Sequence, residues 1–356
     1  MTPLVLLALL QEDFAPTWEK IATTIRAGYY ARVARHDEME ARLAKYAPLA
    51  KAAGSRAEFE SRVNAMIAEF HDSHFELFSD ADQGYYTMTS LVEGDKAPAL
   101  PNVGAWFAPS PDGYTVQMVL EGGEAARAGL RVGDLVERVD ARPFTPVASL
   151  AASVGSDVTL HFRRAGKDSQ ASVKVGRAPA MRMFLDATLA SRRTIERKGK
   201  RFGYIHLWTQ GNDGFQKALT DAVAAARETD GFILDLRGGF GGYPYGYDAP
   251  FAKGAYEKPL VVIVDHGSRS AKEVLSYNLQ KSGRATIVGE RTAGAVLGTS
   301  PVRINAWSYL EVPMIDWRIG DVRLEGQGVV PDVSVRTGED PIAKAVEILS
   351  VERIKV

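Results

Sequence analysis

The chain has 356 residues, 46% hydrophobic and 24% charged, enough for roughly two or three domains and typical of a globular chain rather than a disordered one or a membrane bundle. Its 43 Lys and Arg against 44 Asp and Glu leave a formal charge of −1, which offers a polyanion no electrostatic grip, so nucleic acid is not an expected partner. Cysteine is absent, which excludes disulfides, thiolate metal sites, iron–sulfur clusters and a cysteine nucleophile.

The chain opens on Thr2-Pro-Leu-Val-Leu-Leu-Ala-Leu-Leu10, far too short to span a bilayer. Its apolar stretch suits a secretory signal, yet no basic residue precedes it and no small-residue cleavage site follows. Residues 1–12 are therefore set apart as a signal segment. Export to the periplasm or the medium is the expectation, with a cytoplasmic location as the alternative, and stable membrane insertion is not expected. Residues 13–96 form an expected helical domain. Trp18, Ile21, Ile25, Tyr29 and Val33 recur at helical spacing, and Ser55-Arg-Ala-Glu58 is a capping box that opens a second helix through Phe59, Val63, Ile67 and Phe70. It runs into the polar cluster His71-Asp-Ser-His74.

Pro98 and Pro101 mark 97–102 as a linker. From 100 to 178 the pattern becomes short strands and turns, such as Tyr114–Leu120, Asp134–Asp140 and Asp157–Phe162. From 180 to 356 strands and helices alternate: a strand over 203–207, an alanine-rich helix over 214–227, a buried strand over 231–236, then a strand (259–264), a helix (271–281) and a strand (285–288). Near-continuous apolar strands separated by helices predict an α/β layer structure. The fold class expected for the whole is α+β multidomain.

Gly122-Gly-Glu-Ala-Ala-Arg-Ala-Gly-Leu-Arg-Val-Gly-Asp134 resembles the core of a PDZ domain. That family keeps its carboxylate-binding loop where Gly104-Ala105-Trp106-Phe107 stand here. The resemblance implies that successive amides cradle a terminal carboxylate while a strand edge accepts an extended peptide. The alternative is a small β-domain whose groove is closed or regulatory.

Asp265-His-Gly-Ser-Arg-Ser-Ala-Lys-Glu273 lies between a buried strand and an amphipathic helix, whose unpaired N–H groups can stabilise negative charge on a substrate oxygen. Taken alone, Ser268 or Ser270 reads equally as a helix cap. Three other strings change that weighting: Leu234-Asp-Leu-Arg-Gly-Gly-Phe-Gly-Gly242, Val288-Gly-Glu-Arg-Thr-Ala-Gly294 and Glu325-Gly-Gln-Gly-Val-Val-Pro-Asp332. With the PDZ-like segment they form, in order, a series that resembles the tail-specific, or C-terminal-processing, serine peptidases, over nearly the whole chain from Phe14. The resemblance implies a crotonase/ClpP-like α/β peptidase core. It places the nucleophile on Ser270, three residues before Glu273, and the oxyanion donors on the amides of Ala271 and Gly241. Gly239 stands where the family's Asn-x-Gly-Gly has asparagine, which leaves neighbours of Gly241 open as donors.

Many members use a lysine directly after the Thr-x-Gly of the downstream motif, but here Ala295 follows Gly294. A serine without a general base is a poor nucleophile. The other branch, similar to the tricorn core protease, takes its base from a Ser-His pair after the early helices, which falls on Ser73 and His74. Its supporting carboxylate falls on Glu325, which could instead pair with Arg323 or cap a turn. His266, four residues from Ser270, is the rival base. His71 and His74 with Asp72 make a poor metal site for want of a further ligand, so no metal and no cofactor is expected. The glycine loop ends in neither Gly-Lys-Ser/Thr nor Gly-x-Gly-x-x-Gly, so it is not a phosphate cradle. The function expected is a serine endopeptidase acting on polypeptides. A catalytically inactive ligand- or peptide-binding protein on the same scaffold is the alternative. Oligomeric state is not legible in the sequence.

Overall fold

The computed structural model describes residues 12–336 and 338–351, so the apolar segment 2–10 lies outside the described residues. The protein has a mixed α/β fold with several sheets, divided into two units.

The first unit comprises residues 12–80 together with 297–316. Its helices are Ala15–Gly28, His36–Lys51 and Arg56–Ala68. Ser55 caps the third through the Glu58 amide, while the Glu58 carboxylate accepts from the Gly54 amide instead of closing the box. Trp18, Ile21 and Ile25 are buried as expected, but Val33 is 84% exposed, because the first helix ends at Gly28 and Tyr29 turns the chain into an extended conformation. A three-stranded antiparallel sheet orders Glu76–Ser79, Ser308–Ile315 and Gly298–Arg303. Helices and sheet enclose a core in which Phe14 and Phe59 stack at 4.8 Å and Trp307 meets both edge-on.

The second unit comprises residues 81–296 and 317–351. A six-stranded sheet runs Arg193–Arg197, Lys200–His206, Gly231–Asp235, Leu260–Val264, Thr286–Gly289, Val333–Ser334. The first pair is antiparallel and the rest parallel. Every residue of Gly231–Asp235 and Leu260–Val264 is buried, the continuous apolar signature of strands covered on both faces. Helices Asp213–Ala225 and Ala271–Lys281 lie within a residue or two of their expected bounds. A second, antiparallel sheet orders Ala105–Ser110, Gly113–Val119, Leu135–Val139, Asp157–Arg164 and Lys167–Lys174. The expected linker is only half irregular: Leu100–Asn102 is a strand paired antiparallel with Gly176–Ala178, a partner 74 to 78 positions away that local composition cannot reveal.

Candidate active site

In parallel sheets, ligands bind beyond the carboxyl ends of the strands. Two chemistry-bearing segments leave such ends side by side. Gly231–Asp235 feeds the glycine loop 238–242, and its neighbour Leu260–Val264 feeds the turn to Ser270, with Asp235 in register with Ile263. Ser270 is the N-cap of helix Ala271–Lys281 and has φ 59° and ψ −128°, a conformation that costs a non-glycine residue about 1–3 kcal/mol and persists only where the surroundings over-determine it.

Those surroundings are specific. The Ser270 amide donates to the Ala295 carbonyl at 2.8 Å and to Glu273 Oε2 at 3.0 Å. Glu273, fully buried, also accepts from Thr292 Oγ1 (2.6 Å) and from the amides of Gly294 (2.7 Å) and Ala295 (2.9 Å). Burial pushes its carboxyl above the usual carboxylate range, against the pull of these donors. One carboxylate thus ties the serine turn to the Thr292-Ala-Gly294 strap. Both backbone groups of Ala295 take part in that tie.

The glycine loop closes on the same turn. A Cβ on Gly241 would lie 2.4 Å from Ser270 Cβ, 2.7 Å from its Oγ and 2.8 Å from the Ala271 amide nitrogen, so only glycine fits. The Gly241 carbonyl is fixed by Gln210 N (2.7 Å) and Thr209 Oγ1 (2.8 Å). Among the described residues, the amides of Gly241 and Ala271 have no hydrogen-bond acceptor, which leaves two donors beside the serine hydroxyl. Gly239 has φ +68°, and a Cβ there would stand 2.0 Å from the Trp208 carbonyl oxygen. In this backbone an asparagine has no room at this position.

Behind the loop lies a buried network of charges. Asp235 pairs with Arg237 (2.6 Å) and accepts from Tyr204 (2.8 Å). Burial opposes its charge, but His206 and Arg237 hold its carboxyl well below the usual range. His206 meets Glu121 through Nδ1 (2.7 Å) and donates from Nε2 to the Arg237 carbonyl (2.9 Å), while Trp208 donates to Glu121 at 2.6 Å. Burial works against a charged His206, yet Asp235 and Glu121 raise its pKa above the ordinary value.

Glu325 is buried and accepts from the Val296 amide at 2.6 Å, next to the Ala295 carbonyl that receives the Ser270 amide. Arg323 donates to the Glu325 carbonyl at 3.3 Å. Ser270, Ala271, Gly241 and Glu325 all belong to the second unit; Ser73 and His74 belong to the first. There His74 is buried with φ 55°, and its Nδ1 lies 2.9 Å from Ser73 Oγ. The preceding Asp72 accepts from Tyr29 (2.5 Å), Tyr30 (2.9 Å) and Arg35 (3.0 Å), which fixes the turn. His266, the rival base, is exposed and paired with Glu290 at 3.0 Å.

The loop Gly104-Ala105-Trp106-Phe107 is buried apart from the half-buried Gly104. The amides of Gly104 and Ala105 both donate to Asn102 Oδ1. Gln83, from helix Gln83–Glu93, accepts from the Phe107 amide (2.9 Å) and donates to the Ala105 carbonyl (3.0 Å). Trp106 packs against Phe184 at 4.4 Å. Sequence reasoning singled out none of Gln83, Glu121, His206 or Asp235 for these contacts. Among the described residues, no group of three or more His, Asp or Glu is placed to hold a metal ion, and no helix is long and apolar enough to cross a membrane.

Known proteins resemble this chain. Residues 244–335 match the profile of peptidase family S41. The carboxyl-terminal-processing protease of Synechocystis sp. is 25% identical over 332 residues, 83% of this chain and 74% of that protein. The tricorn protease of Thermoplasma volcanium is 24% identical over 371 residues, 92% of this chain but only 34% of that protein. The chain spans 50% of the length of a third relative, the carboxy-terminal processing protease CtpB of Bacillus subtilis. The solved photosystem II D1 C-terminal processing protease shares the fold, with a TM-score of 0.58 at 20% identity over 93% of this chain and 94% of that one. Within residues 244–335 the chain is thus similar to peptidase family S41, and the relatives it matches support a serine-type peptidase.

Proposed function

We propose that the protein is an endopeptidase in which Ser270 Oγ attacks the scissile carbonyl and His74 takes its proton. The observation that carries this reading is the strained Ser270 set beside the two unpartnered amides of Gly241 and Ala271. These amides receive the oxyanion as the carbonyl becomes tetrahedral. With Nδ1 of His74 against Ser73 Oγ, Nε2 accepts the serine proton and returns it to the leaving amine as the C–N bond breaks. Water, deprotonated by the same imidazole, then hydrolyses the acyl-enzyme and regenerates Ser270. Glu325, with Ser73, orients the imidazole and offsets the charge it acquires. No step calls on a metal. The apolar segment 2–10 supports export as the setting for this activity.

A fluorophosphonate probe tests the assignment, because it reacts only with an activated serine beside an oxyanion site. Labelling confined to Ser270 is the expected result. An unlabelled protein that binds peptides tightly would establish the binding-protein alternative.

We also assign peptide recognition to the PDZ-like module, at the edge of strand Ala105–Ser110. The two bonds of Gln83 supply there the acceptor and donor that a ligand's backbone amide would supply. Gln83→Ala should therefore raise the affinity for an unstructured peptide with a free apolar C-terminus by about tenfold, the scale of one or two net hydrogen bonds, read by fluorescence anisotropy. Unchanged or weaker binding would remove the edge from the recognition site.

A further inference from the structure

Lys272 is fully buried, and the proton transfers above make no use of it. Its ammonium donates to the Gly238 carbonyl at 2.7 Å and lies 3.0 Å from where a Cβ on Gly239 would sit. It is faced by the carboxylates of Asp265, Asp235 and Glu121, while burial lowers its pKa to about 7. A lysine enters such a place at a large desolvation cost, and packing alone would be met by methionine or leucine.

The loop it touches has little internal stiffness. Gly238 and Gly239 are consecutive glycines at φ 53° and 68°, a conformation that glycine enters and leaves freely. External bonds hold the loop instead: His206 to the Arg237 carbonyl, the Gly238 amide to Asp265 (2.9 Å), Lys272 to the Gly238 carbonyl, the Phe240 amide to Trp208, and Thr209 and Gln210 to the Gly241 carbonyl. Of these, the Lys272 bond alone comes from the helix that carries Ser270 and Ala271. Nucleophile, first oxyanion amide and clamp are thus successive residues, 270, 271 and 272. The clamp grips the loop that bears the second amide, three residues before Gly241.

We propose that Lys272 is a positioning residue that locks the two halves of the oxyanion site to each other, by binding the Gly238 carbonyl from the nucleophile's own helix. The inference rests on the peptidase reading. The ammonium fills the space from which a side chain at 239 is barred, so the helix supplies from outside the stiffness that the loop's glycines lack.

Lys272→Met and Lys272→Arg in the full chain test this. The readouts are kcat and KM on a quenched fluorescent peptide, the rate of fluorophosphonate labelling, and Tm. Lys272→Met should lower kcat by about 30- to 300-fold, near the loss of one oxyanion donor. The labelling rate should fall in parallel, KM should stay within about twofold, and Lys272→Arg should recover part of the loss. A Lys272→Met enzyme with near wild-type kcat, or with a change in KM alone, overturns the proposal. So does activity that falls only in proportion to the unfolded fraction, or failure of both variants to fold, since either assigns the lysine to stability. A wild type without Ser270-dependent turnover overturns the peptidase reading and this inference together, whereas a defect that fails to appear in the variants overturns the inference alone.

Discussion

Ser270→Ala and His74→Ala each reduce casein turnover by about 10⁴-fold or more, and the double variant is no worse than either, because residues that act as one unit in catalysis lose their effect together. Circular dichroism should change little for either variant, while Tm should fall for His74→Ala, whose buried ring leaves a cavity. The non-additivity is the discriminating part: two side chains that merely packed would add their losses. Turnover by His74→Ala with a dead Ser270→Ala would keep the nucleophile and discard the base. His266 is poorly placed to inherit the role, since its exposed ring is committed to Glu290.

Gly241→Ala is the second large effect expected, and it works through space. The added methyl would meet Ser270 Cβ at 2.4 Å and the Ala271 nitrogen at 2.8 Å, closer than real atoms approach. The loop cannot retreat freely, because Thr209 and Gln210 hold the Gly241 carbonyl. The hydroxyl, the oxyanion donors or both must shift, so kcat should fall by about 10²–10³-fold, the range for an oxyanion donor put out of place. Overpacking should also destabilise the fold by about 1–3 kcal/mol. Peptide binding, measured by anisotropy, should be retained. A Gly241→Ala enzyme with ordinary kcat would move the oxyanion site elsewhere in the loop.

What the sequence made legible follows from the range of each interaction. Helix Ala271–Lys281 and the strands around it were readable because hydrophobic period and length are local properties. Val33 was misplaced because periodicity continues past the point where Tyr29 leaves the helix. The pairing of Leu100–Asn102 with Gly176–Ala178 escaped because it joins distant segments. At the site, the motif strings pointed to Ser270, Ala271 and Gly241, which the fold brings into contact. The buried contacts of Glu273, Lys272 and Gln83 were hidden for a different reason. A buried polar residue is defined by its partners, and for Gln83 the partners lie 22 and 24 positions away. Nothing in a lone glutamine marks it as bonding the backbone of a strand edge.

The seam formed by Glu121 and Trp106 has a consequence for engineering. Glu121 follows strand Gly113–Val119 of the antiparallel sheet, yet its carboxylate is spent on His206 and Trp208, and Trp106 leans on Phe184. Excising residues 100–178 as an interchangeable cassette would strip the counter-ion from a buried imidazole and bare two aromatic rings. Any segment grafted in its place would have to carry an acidic residue and an indole across at the same two points.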